Sequence, residues 1–207
     1  MSFYSLSSYS QYRINRSAIG GTPTPPPFSN VNSFEFDGVD DYFLGTSTYS
    51  ELDGQTKMTF SAWIKAGSLS SQSYLFAIGG STTLFQVAVR LQSTSATNAK
   101  VWFYINNSIN SERASADLGA IKNDGQWHHL MICMNLTDFL GINKVDFFLD
   151  GNVLSKTGNY VPSVLANSGA PLNIGNRENP NTGLMVGAVD AFAIWSGTDL
   201  RNDVATI

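Results

Sequence analysis

Phe34-Glu35-Phe36-Asp37-Gly38-Val39-Asp40-Asp41-Tyr42 alternates apolar and acidic side chains, then breaks at a glycine flanked by aspartates. A period of two marks a half-buried strand, here with Phe34 and Phe36 on one face and Glu35 and Asp37 on the other. Asp beside Gly is turn chemistry, because the carboxylate caps nearby amides and glycine accepts positive φ. The stretch predicts a strand and a hairpin turn at Gly38-Val39 leading into Tyr42-Phe43-Leu44. Further along, Met58-Thr59-Phe60-Ser61-Ala62-Trp63-Ile64-Lys65 repeats the alternation. Strands are expected over 74–78, 84–91 and 101–105, each bounded by Ser, Thr, Gly or Asn clusters. Asp124-Gly125 opens a strand over 126–134. Val145, Phe147 and Leu149 share a face before Asp150-Gly151, a hairpin signal because both residues tolerate φ > 0. A short strand over 171–174 follows. The apolar run 184–195 reads as a strand buried on both faces. Leu200, Val204 and Ile207 at i, i+4, i+7 predict at most one short terminal helix.

The turn-and-strand series Phe36 to Tyr42, Phe60-Ser61-Ala62-Trp63-Ile64, Asp124-Gly125-Gln126-Trp127-His128-His129-Leu130, Phe147 to Gly151 and Val189 to Trp195 resembles the laminin-G-like, concanavalin A-like sandwich family, as found in virion structural proteins of tailed phages, marine ones among them. The resemblance covers residues 33 to 200 or so. It implies an all-β fold: a two-sheet antiparallel jelly-roll sandwich over 33–207, preceded by an arm and Pro-rich spacer over 1–32. It also implies that Trp63, Trp127 and Trp195 are core packing. Such a fold serves lectins, glycosidases, adhesion modules and virion decorations alike, so activity must be argued from sites.

Composition narrows the classes. Of 207 residues, 43% are hydrophobic and 12% aromatic, enough for a sandwich core, and only 14% are charged. A surface of Ser, Thr, Asn and Gly suits packing or neutral sugars. The net charge of −4 gives no phosphate-tracking excess of cations, so nucleic acid is not an expected partner. The single cysteine, Cys133, excludes an intrachain disulfide and sits in the apolar run Leu130 to Met134, where it reads as a small buried hydrophobe. The start of the chain lacks signal-peptide character, and no membrane association is expected. Residues 1–32 carry no acid. Their charges are Arg13 and Arg16, which leaves the arm at +2 and the remainder at −6. Phe3, Tyr4, Tyr9 and Tyr12 punctuate the arm, and Gly20-Gly21-Thr22-Pro23-Thr24-Pro25-Pro26-Pro27 is a semi-rigid spacer. Disordered tails are poor in aromatics, so the arm reads as a docking segment.

Candidate sites are each weighed against a structural role. Glycoside hydrolysis needs two carboxyl groups a few ångströms apart. The nearest strand-borne pair is Glu35 and Asp37, which runs into a turn. Asp37, Asp40 and Asp41 read as turn formers. His128 and His129 are adjacent on a strand, so they face opposite ways and cannot share a ligand or proton. Calcium needs six to eight oxygens. The candidates are Glu178 and Asn179 in the loop 173–182, completed by Asp190, with no cofactor as the main expectation. For sugar, Trp102 and Tyr104 share a strand face, with Asn106 at the strand end and Arg177 in the Asn-rich loop. The competing reading places the two rings in the core.

The resemblance then implies a non-enzymatic virion structural protein, a capsid decoration or tail appendage, made in the host cytoplasm and located in the virion. Tyr4, Tyr9, Tyr12, Arg13 and Arg16 would anchor it to other virion proteins, and the sandwich would face host-surface glycans. A homo-oligomer fits a symmetric surface. A free-standing carbohydrate-binding adhesin or lectin is the alternative, and a polysaccharide hydrolase a third.

Overall fold

The computed structural model describes residues 33–45, 47–69, 72–79, 85–107, 113–138, 144–159, 164–166, 169–177 and 183–203. The arm with Tyr4, Tyr9, Tyr12, Arg13 and Arg16, the loop residues Glu178 and Asn179, the side chain of Asn106 and the last four residues lie outside them.

Alternation converts into thirteen strands among the described residues: β1 (Phe34–Asp37), β2 (Phe43–Leu44), β3 (Lys57–Ala66), β4 (Ser73–Ile78), β5 (Phe85–Ser93), β6 (Ala99–Asn107), β7 (Arg113–Gly119), β8 (His128–Asn135), β9 (Val145–Leu149), β10 (Asn152–Val153), β11 (Lys156–Asn159), β12 (Leu172–Ile174) and β13 (Val186–Ser196). They form two antiparallel sheets. One has the order β1-β13-β3-β8-β9-β10 and the other β11-β7-β6-β5-β4-β12-β2. No α-helix occurs among the described residues, and Leu200 to Asp203 closes as a single turn.

The inward rows of both sheets form one core. Met58, Phe60 and Ile64 of β3, Ile132 of β8 and Phe147 of β9 meet Phe76 of β4, Val89 of β5 and Phe103 of β6, all without exposure to water. Phe60 and Phe76 lie 5.0 Å apart, and Phe192 meets both edge-on at 5.4 and 5.5 Å. Edge-to-face contact sets the positive rim of one ring against the negative face of another.

Three expectations change. Gly38-Val39 is not a hairpin: β1 pairs with β13, and β2 pairs with β12 in the opposite sheet. The turn instead carries the chain from one layer to the other, with Asp37 Oδ1 accepting from the Val39 amide at 2.7 Å and Gly38 at φ 80°. Strand β13 is fully buried only around Ala188 and Val189. Its partner β1 is four residues long, so among the described residues the second half of β13 has β3 on one side and no strand on the other. Trp63, Trp127 and Trp195 are half-buried, and none joins the inter-sheet core. By register, Trp63 and Trp195 lie on the outer face of the six-stranded sheet.

Candidate functional site

The outer face of the seven-stranded sheet carries a set of aromatic and polar side chains outside the inter-sheet core. Because Val87, Val89 and Leu91 point inward, Gln86, Ala88, Arg90 and Gln92 of β5 point outward. The same parity places Trp102 and Tyr104 of β6, Ser115 and Asp117 of β7 and Asn173 of β12 on this face. Register joins them in rows. Tyr74, Arg90, Trp102 and Ser115 are successive neighbours across β4 to β7, and Asn173, Ala77, Ala88 and Tyr104 form the next row. The two alanines are as fully covered as the two tyrosines beside them, all four at 0–1% exposure. Tyr74, Ala77, Ala88 and Tyr104 form a buried cluster with Trp102 packed against it.

Arg90 is the charge in this cluster. Its guanidinium carbon lies 5.5 Å from the Trp102 ring centre and 5.4 Å from that of Tyr104, and the residue is only 7% exposed. Its Nη2 reaches Gln92 Oε1 at 3.4 Å, and Trp102 Nε1 donates to the same oxygen at 2.6 Å. At the solvent edge, Lys100 sits 5.4 Å from the Trp102 ring and 3.7 Å from Asp117. Trp102 is half-buried and is the ring of the cluster that reaches this edge, where Gln92 and Lys100 are also part-exposed. The face combines stacking surface, a cation and amide groups, a set that can hold a sugar ring and read its hydroxyls.

A second feature borders the turn after β1. The Asp37, Asp40 and Asp41 carboxylates come within 4.8 Å of one another, all exposed. Asp41 Oδ2 accepts from the Asp37 amide at 3.1 Å. A cleft of about 480 Å³ alongside is lined by Glu35, Asp37, Asp41, Lys65 and Asn123. Calcium needs six to eight oxygens. Here Asp37 and Asp41 already spend oxygens on backbone amides, so the arrangement fits turn chemistry better than a calcium cage. Asp190 stands elsewhere, on the outer face of β13, where its Oδ1 accepts from Ala191 at 2.7 Å beside the bulge. Arg177, half-buried, follows Asn176, whose side-chain oxygen accepts from the Arg177 amide.

The family model for the concanavalin A-like lectin/glucanases superfamily, Laminin_G_3, matches residues 37–205. The chain belongs to this superfamily. Comparison with curated protein sequences finds no match. Among solved structures, this concanavalin A-like domain is similar to the heptameric SAP-like pentraxin of Limulus polyphemus, with a TM-score of 0.63 and 17% identity over 83% of this chain and 79% of that one. Domain 4 of the arabinanase AbnA of Geobacillus stearothermophilus, solved with arabinotriose, gives 0.52 and 19% over 74% and 67%. The Ruminococcus gnavus IT-sialidase CBM40 bound to α2,3 sialyllactose gives 0.56 and 13% over 84% and 94%. At these identities the likeness is one of fold.

On the opposite sheet the concanavalin A-like domain carries groups that look catalytic. His129 Nε2 lies 2.7 Å from Ser61 Oγ, a diagonal contact between β3 and β8, and its ring is 5.2 Å from Trp63. A nucleophilic serine needs its histidine oriented by a third group. Asp150 Oδ1 instead accepts from the His129 backbone amide at 2.8 Å. Burial outweighs the attraction of Asp150 and lowers the His129 pKa, so the ring is neutral. His128 is a clamp. Its Nδ1 meets Asp150 Oδ2 and its Nε2 meets Asp124 Oδ2, both at 2.8 Å, tying the loop before β8 to the β9–β10 hairpin. Burial works against its charge, but the hydrogen bonds to Asp150 and Asp124 prevail and raise its pKa.

Sequence reading missed Arg90, Gln92 and Asn173. The signal was available: position 90 shares parity with 86, 88 and 92 on a strand whose odd-numbered positions are all apolar from 85 to 91. An arginine in such a strand faces away from the core.

Proposed function

We propose that this concanavalin A-like domain is a non-enzymatic glycan-binding module, using the outer face of the seven-stranded sheet. The observation that carries the reading is the Tyr74, Arg90, Trp102 and Tyr104 cluster, aromatic and charged yet outside the inter-sheet core. A Trp edge beside amide and ammonium groups is what a pyranose needs for one apolar contact and several directed hydrogen bonds. The carbohydrate ligands of the AbnA domain and CBM40 structures support the reading by analogy of fold. A non-catalytic role is favoured because Asp117 is the one carboxylate that the strands of this sheet contribute among the described residues, and it pairs with Lys100. A hydrolase of the usual type would need a second carboxyl group within about 5–10 Å. No metal is assigned a part. The test is a glycan array probed with the full chain and with Trp102→Ala. The reading expects binding that falls at least about tenfold in the variant, near 1.4 kcal/mol. Equal binding by both proteins would exclude this face.

A second reading concerns setting. The acid-free, tyrosine-punctuated arm and its proline spacer favour attachment to a larger assembly, a capsid decoration or tail appendage of a virion. Tyr4, Tyr9 and Tyr12 would fill pockets on a partner protein, with Arg13 and Arg16 paired to its carboxylates. Deleting residues 1–25 should abolish co-purification with virions while the melting temperature stays unchanged. Normal incorporation of the truncated protein would remove the anchoring role.

A further inference from the structure

Arg90 and Asn173 both present polar atoms that the described residues leave without partners, and both project onto the same sheet face. The Arg90 Nε is buried with no hydrogen-bond acceptor among the described residues, and none of their carboxylates pairs with its guanidinium. Asn173, 2% exposed, leaves both Nδ2 and Oδ1 unpartnered there. A buried cation without an acid costs several kcal/mol, and a buried amide without partners costs further. Other cations of this domain are treated differently: Arg201 meets Asp146 at 2.8 Å and Asp199 at 2.9 Å, and Lys156 pairs with Asp146. Arg90 instead has two aromatic rings, which stabilise a guanidinium but supply no acceptor for its buried Nε–H. Strand spacing puts Asn173 and Arg90 about 10 Å apart laterally, two strands over. Between them lie Ala77 and Ala88, the smallest side chains on the face.

Resting on the glycan-binding reading, we propose that the ligand is an acidic sugar whose carboxylate is received by Arg90. The Nε edge of a guanidinium offers two parallel N–H groups that match a carboxylate fork. Asn173 offers one donor and one acceptor, the set that reads a hydroxyl pair or an amide substituent. Lys100 at the rim is paired with Asp117, so among the described residues the uncompensated positive charge of this face is that of Arg90.

The test is calorimetric titration of the full chain with two matched pairs: oligogalacturonate and its carboxyl-reduced form, and sialyllactose and lactose. At least one acidic member should bind ten times or more tighter than its neutral partner, and the preference should shrink as salt is raised. Arg90→Gln should erase the preference. Arg90→Lys, which keeps the charge but not the fork, should retain only part of it and guards against misfolding of the glutamine variant. Equal affinity within both pairs, an undiminished preference in a folded Arg90→Gln protein, or tighter binding to a sulfated galactan than to either acidic probe would each overturn the carboxylate assignment while leaving glycan binding intact. Binding to none of these sugars, together with a blank glycan array, would overturn the glycan-binding reading itself.

Discussion

His128 and His129 are neighbours in sequence and titrate in opposite directions. His128 gains two carboxylate partners on folding, so its raised pKa adds stability that is fully present below the unfolded value of 6.5 and is lost as pH rises through the folded pKa. His129 is half-buried against Ser61 and Trp63, so the stability of its neutral form is present at higher pH and is lost as pH falls below 6.5 towards its lowered folded pKa. His128→Ala should therefore cost about 1–2 kcal/mol near pH 6, a charge-assisted pair discounted for the partly exposed Asp150, and less at pH 9. Urea unfolding at the two pH values reads the difference; a cost that grows with pH would contradict the clamp. Sequence reading placed the two histidines on opposite faces correctly, since parity alone decides that. It could not see the clamp, because Asp124 and Asp150 approach His128 only once the loop and the hairpin have folded. Asp37 and Asp41 were legible as turn formers because their partners lie within four residues.

At the scale of the element, legibility followed side-chain size. Strands with bulky alternation, such as β3, β6 and β9, were found, and so was the Asp150-Gly151 hairpin, with φ of 51° and 78° at its two turn residues. Strand β7 was missed although Ala114, Ala116 and Leu118 alternate with Arg113, Ser115 and Asp117, because alanines give a weak apolar period. The course of the chain after β13 was also unreadable. Residues 198–201 fold back over the outer face of the six-stranded sheet, with Thr59 Oγ1 donating to Thr198 O at 3.1 Å and accepting from the Leu200 amide at 3.0 Å. Arg201 anchors this return to Asp146 of β9. Met131, Cys133 and Phe148 of this face are buried, and burial pushes the Cys133 thiol up to about 12. Truncation after Gly197 should expose Cys133 to a thiol reagent at neutral pH, whereas the intact chain should resist until unfolded. Equal labelling of both would show that the return segment is not the cover. At Gly187 of β13 (φ 132°) an added Cβ would fall 2.1 Å from Lys65 O. Gly187→Ala should cost at least about 2 kcal/mol in chemical denaturation, since the clash is with backbone and cannot rotate away.

At the scale of the molecule, the two sheets divide the labour. The six-stranded sheet is tied down by the His128 clamp, the Arg201 network and the returning C-terminal segment. The seven-stranded sheet keeps its aromatic and polar groups on an outer face whose strands carry one described acid. Calcium has no assigned part in this account, so chelator treatment should leave the melting temperature and glycan binding unchanged; loss of either on chelation would revive the acidic turn as a metal site. The central claim is that Trp102 marks the ligand face while the other three tryptophans do not. The direct measurement is the indole N–H region of the nitrogen–proton spectrum during titration of the full chain with the best-binding glycan. The account predicts that the Trp102 resonance shifts and that those of Trp63, Trp127 and Trp195 hold their positions. A stationary Trp102 with movement at one of the others would contradict it.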